Sequence, residues 1–452
     1  MRTVAPALRA RSFGALACIS LAIVSNVAAQ DAYTAIEPKP LTLTDGTRSY
    51  EQVPSPSEGP SEINNPPSIE IRNDDSGISA TPHKFHYGFR LTVRGVYDDN
   101  ILLTENFKEH DYYFAIEPGF TIGYGDIVQR QENYIRLDYA PSVFLFADHS
   151  ESNAAQQLIR LEGQHRFSRL TLTFSQDIQI LDGTNLTSAT STTSGGPTLN
   201  LDAGGTTAVD IYTTMANFTY DLSGKTFLSG GLRFDAWDYQ NNLISSSSFS
   251  GILSFNYNYS PKLVIGVGGS GGYNWVDSPS PNQTFEQANV RLTYQLTGKV
   301  SLNASAGVEF RQSTDNSDSD HTSPIYEIGA TYQPFDGTTF SLRGSRHTMN
   351  SAVFTAQDYA STSIVFGATQ RLLQRIYLGL TLGYENSDYF STVAGMSAIR
   401  TDNYCFIEPA VDVMVTRWIT VGAYYLHREN DSNAAGFSFD NNQVGLRASI
   451  TF

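Results

Sequence analysis

The sequence is short of charge, of cysteine and of long apolar runs. Charged residues make up 16% of its 452 residues, well under the roughly one quarter usual for soluble domains. No internal stretch reaches ~18 consecutive apolar residues, which excludes a transmembrane helix. The two cysteines, Cys18 and Cys405, are too few and too differently placed for a disulfide framework. Cys18 lies in an amino-terminal leader, and Ala15 stands where lipidation would want a Leu-type residue. The 29 Lys and Arg are outnumbered by 45 Asp and Glu, a formal net charge of -16, which argues against a nucleic-acid partner.

Aromatics and glycine are plentiful instead: 25 Tyr, 26 Phe and 36 Gly. Low charge, many aromatics and no helical span suit a membrane protein whose apolar surface is assembled from alternate residues of strands. The last stretch shows that alternation openly. Val444, Leu446, Ala448, Ile450 and Phe452 fall on one face; Gly445, Arg447, Ser449 and Thr451 fall on the other. A period of two means an extended strand. An alternating strand that stops on a terminal aromatic has the form of a closing strand of an outer-membrane barrel.

The chain divides in three. Residues 1–29 read as an export signal, with Arg2, Arg9 and Arg11 before an apolar core from Phe13 to Val24 and a small-residue site at Val27-Ala28-Ala29. Residues 30–82 carry Pro54, Pro56, Pro60, Pro66 and Pro67 with scattered acids and neither period, which predicts a flexible acidic periplasmic segment. Residues 83–452 repeat strand, polar loop, strand, short turn, and predict an all-β fold: a single closed antiparallel transmembrane β-barrel of about 18 strands, or 16 if a hairpin is miscounted. Short turns such as Ser223-Gly224-Lys225, Thr297-Gly298-Lys299 and Thr416-Arg417-Trp418 alternate strictly with longer loops. A soluble β-sandwich has no reason to keep that alternation; a barrel with distinct periplasmic and outer ends does.

The opening hairpin carries a more specific likeness. Gly95-Val96-Tyr97-Asp98-Asp99-Asn100, followed by Ile116-Glu117-Pro118-Gly119-Phe120, resembles the start of the β-barrel porins of Gram-negative bacteria. The resemblance implies an outer-membrane barrel over about 83–452. It implies no particular solute, and some members of that family belong to exopolysaccharide secretion systems.

Carrying the alternation through every strand places a set of charges on the inward face. The bases are Arg90, Arg94, Arg136, Arg160, Arg166, Arg233, Arg291, Arg311, Arg343 and Arg447; the acids are Glu117, Asp138, Glu162, Asp177, Asp235, Glu309, Glu327, Glu408 and Asp412. These are the candidate pore-lining residues. Arginine forms bidentate pairs with carboxylates and stays charged when partly buried, so some members stiffen the wall as pairs while unpaired ones set selectivity. Few inward aromatics are expected beyond Tyr134, Phe144, Trp237 and Tyr424. The ninth strand is nearly bare inside at Gly266, Gly268, Ser270 and Gly272, which predicts a close approach by other backbone. That backbone is an inserted loop, with Gly183 to Thr206 as the candidate, or the amino-terminal segment.

Catalytic and metal motifs are weak. Gly268-Gly269-Ser270-Gly271-Gly272 has the spacing of a hydrolase nucleophile elbow but falls mid-strand, where the strained strand-to-helix turn is missing. Asp315, Asp318 and Asp320 lack the Gly and Glu of an EF-hand loop. His110, His149, His321 and His427 sit apart, with no Ser/His/Asp spacing. No enzyme, metal or cofactor is expected. Cys405 should face lipid. The expected function is a porin-like channel passing small hydrophilic solutes; an export porin for an exopolysaccharide is the alternative, with a non-conducting structural barrel behind it. Outer-membrane lipid and lipopolysaccharide are the expected surroundings, and the strand ending at Phe452 the expected contact for the barrel-assembly machinery.

Overall fold

The computed structural model describes residues 85–452 apart from 128–132, 184–185, 187–198, 205–206, 241, 315–319, 396–397 and 399. The export signal, Cys18, the segment 30–82, Asp315 and Asp318 lie outside the described residues.

Eighteen strands follow one another: β1 (Phe85–Asp98), β2 (Asp111–Gly125), β3 (Tyr134–Phe146), β4 (Ala154–Arg166), β5 (Leu170–Leu181), β6 (Val209–Asp221), β7 (Thr226–Tyr239), β8 (Ser246–Ser260), β9 (Leu263–Val276), β10 (Gln283–Thr297), β11 (Val300–Ser313), β12 (His321–Tyr332), β13 (Thr338–Asn350), β14 (Gln357–Leu372), β15 (Ile376–Ser391), β16 (Thr401–Met414), β17 (Ile419–Ser432) and β18 (Phe439–Thr451). Each pairs antiparallel with its sequence neighbours, and β18 returns to β1, with Arg90 opposite Thr451 and Asp98 opposite Gln443. At the seam Phe452 N–H donates to Phe89 O at 2.8 Å and Phe89 N–H to Phe452 O at 3.2 Å. The ring is closed and leaves no edge strand, the condition for a sheet in hydrocarbon.

Alternation sets the two faces. On β2, Phe114, Ile116, Phe120 and Ile122 are exposed at 42–58%, while Tyr113, Ala115, Glu117 and Thr121 between them are at most 1% exposed. β18 behaves the same way, with Val444, Leu446 and Phe452 turned out, and Cys405 is exposed on β16. Aromatics gather at both ends of the outer surface. Tyr97 lies against Tyr112 and Tyr273 against Trp275 at the loop end, and Phe452 stacks on Phe89 and Trp418 at the turn end. Such belts sit at membrane interfaces.

One ladder is incomplete. β12 pairs with β13 only from Tyr326–Arg346 to Tyr332–Phe340, although β11 holds β12 up to His321 and β14 holds β13 up to Asn350. The outer ends of β13, β14 and β15 therefore leave the wall together and turn into the barrel. Their former outer face lands on the inner face of β9–β12. Gln283 donates to Asp358 at 3.2 Å, Arg311 donates to Asp358 at 3.2 Å, Asn274 donates to Asn350, and the His321 ring stacks on Phe390 at 3.7 Å.

Candidate functional site

Two kinds of arginine–carboxylate pair line the concave face. In the first, the partners are two residues apart on one strand: Arg136–Asp138 at 2.7 Å, Arg160–Glu162 at 3.4 Å, Arg233–Asp235 at 2.6 Å and Glu309–Arg311 at 3.3 Å. Residues i and i+2 share a face and stand roughly 6–7 Å apart, a gap that arginine bridges without leaving the wall. In the second, the partners come from different strands. Arg94 grips Glu117 through Nε and Nη2, and its Nη1 donates to the Tyr424 hydroxyl at 3.0 Å. Arg447 holds Asp412 bidentately at 2.8 and 2.5 Å. Arg160 also reaches Asp177 at 3.6 Å, and Arg311 reaches Asp358.

Arg291 donates to Asn289 at 3.1 Å. Glu327 is half-buried on the inner face of β12, and Arg166 is exposed at the turn end of β4. Arg90, Arg343 and Glu408 share a cavity of about 570 Å³ in the half of the barrel that carries the short turns, together with Arg447 and Asp412.

The outer half is furnished differently, and here the expectation of few inward aromatics was too low. Tyr113, Phe144, Phe146, Tyr404, Phe406, Tyr424 and Phe439 form one buried apolar cluster with Val96, Ile101 and Leu426. Leu186 and Leu201 of the β5–β6 loop belong to it, and Leu199 packs against it. A hydrophobic shelf inside the barrel thus anchors a loop that folds inward. Gln156 on β4 fixes the loop's start by donating to Gly183 O and Leu186 O, both at 3.1 Å.

The loop's far part crosses to the wall opposite. Asp202 accepts hydrogen bonds from the Ala352 N–H at 2.5 Å, the Ser351 hydroxyl at 2.9 Å and the Tyr389 hydroxyl at 2.9 Å. Arg400 donates to Leu201 O at 2.6 Å and to Asp202 O at 3.1 Å, is paired with Asp402 at 2.6 Å, and lies over the ring of Phe437 at 3.7 Å. Burial pushes the Asp202 carboxyl above its ordinary range, opposed by the Ala352 N–H and by the Arg400 charge. Asn200 donates to the Tyr239 hydroxyl at 2.8 Å, so Tyr239 faces the mouth.

The described end of this loop meets Ser351, Ala352 and Tyr389, not the bare stripe of β9 expected for it. At Gly266, Gly268 and Gly272 the space a side chain would occupy is taken by Asn256, Ser254 and the Phe285 ring, which reach over from β8 and β10. The bare stripe of β9 makes room for side chains of its own neighbours. Ser270, the centre of the apparent nucleophile elbow, donates to Gln287 at 2.8 Å and lies mid-strand. Among the described residues no three or more His, Cys, Asp or Glu side chains converge as metal ligands would.

Sequence reasoning also missed Asp202, Arg400, Asp402 and Asp358. The first three are in or beside loops, where no period assigns a face. Arg400-Thr401-Asp402 does repeat the spacing of Arg136-Leu137-Asp138 and Arg233-Phe234-Asp235, and that spacing was the available signal.

No curated protein matches the sequence. Among solved structures, the outer membrane protein OpdK of Pseudomonas aeruginosa is 12% identical, with 81% of this chain and 99% of that chain covered and a TM-score of 0.43. OpdO of the same organism is 12% identical, with 82% and 98% covered and a TM-score of 0.44. Residues 287–452, from within β10 to the end of β18, match the family model described as "Putative beta-barrel porin 2". The last nine strands thus carry the signature of a β-barrel porin family, in agreement with the resemblance read at the opening hairpin.

Proposed function

We propose that the chain is an outer-membrane channel of a Gram-negative bacterium, through which small hydrophilic solutes pass passively along an arginine- and carboxylate-lined lumen. The observation that carries this reading is the division of the closed barrel into an apolar outer face and a charged inner one, with a cavity between Arg90, Arg343 and Glu408. A barrel that only anchored or stiffened a membrane would gain nothing from a guanidinium left without a partner on its inner wall, as at Arg90. The outer half, narrowed by the β5–β6 loop and the turned-in ends of β13–β15, suits a small solute better than a polysaccharide chain. The segment 30–82 is placed in the periplasm on this reading, and Phe452 offers the assembly machinery its contact.

Purified barrel in planar bilayers tests the proposal. Stepwise ohmic current is the expected result. Silence from the full chain, and from a chain lacking 30–82, would sink it.

A further inference from the structure

We infer that the half of the barrel bearing the short turns binds a small hydroxylated monocarboxylate; the inference rests on the channel reading and names its solute class. The wall there holds three guanidiniums, Arg90, Arg343 and Arg447, against two carboxylates, Glu408 and Asp412, which leaves one positive charge. Arg447 and Asp412 satisfy each other bidentately. Arg90 makes no hydrogen bond or ion pair among the described residues, and its buried Nε lacks a partner. The acids whose charge it feels are Glu117 and Asp138, each already held by its own arginine. Arg343 likewise has no ion pair or hydrogen bond among the described residues.

A buried donor left without an acceptor calls for one from outside, and a guanidinium fork matches a carboxylate. Glu408 stands on the same wall with one oxygen unpartnered. It repels a second negative charge on the ligand and can accept from a hydroxyl. Thr92, Thr331, Thr369 and Thr381 add hydroxyls around the cavity, and Tyr377 is the single aromatic on its lining. A neutral sugar wants aromatic faces to stack on; a hydroxylated acid wants arginines and hydroxyls. About 570 Å³ is within the usual range for small-molecule pockets, roughly 300–1,000 Å³.

The test uses the full mature chain in planar bilayers with potassium gluconate as the probe. A potassium chloride gradient should give an anion-selective reversal potential. Gluconate should block the chloride current, its neutral analogue glucitol should not, and the dianion glucarate should block more weakly than gluconate. R90A and R343A should each raise the half-blocking gluconate concentration about tenfold, the loss expected for a charged hydrogen bond, while current persists. Equal block by gluconate and glucitol, or unchanged block in both variants, would overturn the inference and leave the channel standing. No current at all would remove the channel reading. The site would then be judged by calorimetric titration of gluconate into the detergent-purified barrel, where equal heats from wild type and the R90A/R343A double variant would overturn it.

Discussion

Arg400 clasps Asp202 across the mouth of the barrel, with Nη1 donating to the aspartate's main-chain oxygen at 3.1 Å and standing 3.8 Å from its carboxylate. The two belong to loops on opposite sides of the ring, so their contact helps to hold the β5–β6 loop in the mouth. Arg400 is fully buried and stacks on Phe437, Tyr389 and Phe354. Removing one partner of a buried charged pair costs about 3–5 kcal/mol. R400A should therefore release the loop and raise single-channel conductance. R400K, which keeps the charge but loses the planar fork, should fall between. Identical conductance in wild type and R400A would place the constriction elsewhere.

Much of this molecule is legible in its sequence, because a barrel obeys one rule repeated. Period two assigned the faces of β1, β2, β3 and β18, and the alternation of short and long connections marked off the strands. Which wall charges pair with which was not read from the sequence, although partners two residues apart, as at Arg136 and Asp138 or Arg233 and Asp235, follow from strand geometry alone. The turned-in ends of β13–β15 were not legible. Where a ladder stops depends on what two strands meet inside the barrel, and no local propensity records it. Arg346, Thr348, Asn350 and Asp358 left a trace: they are polar on the same face that carries Phe340, Leu342 and Ile364 lower down.

The buried Arg94–Glu117 pair should matter more to stability than the Arg447–Asp412 pair. The first is 2% and 1% exposed and shares Tyr424; the second is 17% and 24% exposed. E117A strands a buried guanidinium and should cost about 3–5 kcal/mol. D412A leaves a partly wetted one and should cost about 1 kcal/mol or less. The unfolding midpoints of the detergent-purified variants, read by the gel shift of the folded barrel, should rank wild type, D412A, E117A from highest to lowest. The reverse order would show that hydration, not pairing, governs these arginines.

The β3–β4 loop should dock more firmly at low pH. His149 Nδ1 lies 3.1 Å from Asp111 and Nε2 lies 3.4 Å from Glu109. The hydrogen bond to Asp111 raises the His149 pKa above its usual 6.5. A raised histidine pKa means that the docked state holds the proton more tightly, so the stabilisation is full below about 6.5 and is lost as pH rises through the raised value. Amide exchange of residues 147–153 should accelerate across that window. D111N should bring the histidine titration back toward 6.5; an unmoved titration would discount the contact.

The turned-in segment makes a chemical prediction about a single face of β13. Phe340, 36% exposed, lies where that face still forms the outer wall, and Thr348, 9% exposed, lies beyond the last β12–β13 pair. In a C405S background, F340C should react readily with a lipid-soluble maleimide and T348C should be protected. Replacing Thr348 loses little, since its hydroxyl is buried without a partner. Both positions share one strand parity, so an unbroken wall would label them alike. Protection of T348C alone requires that the strand leave the lipid boundary between them, carrying Asn350 and Asp358 to Asn274, Gln283 and Arg311 inside.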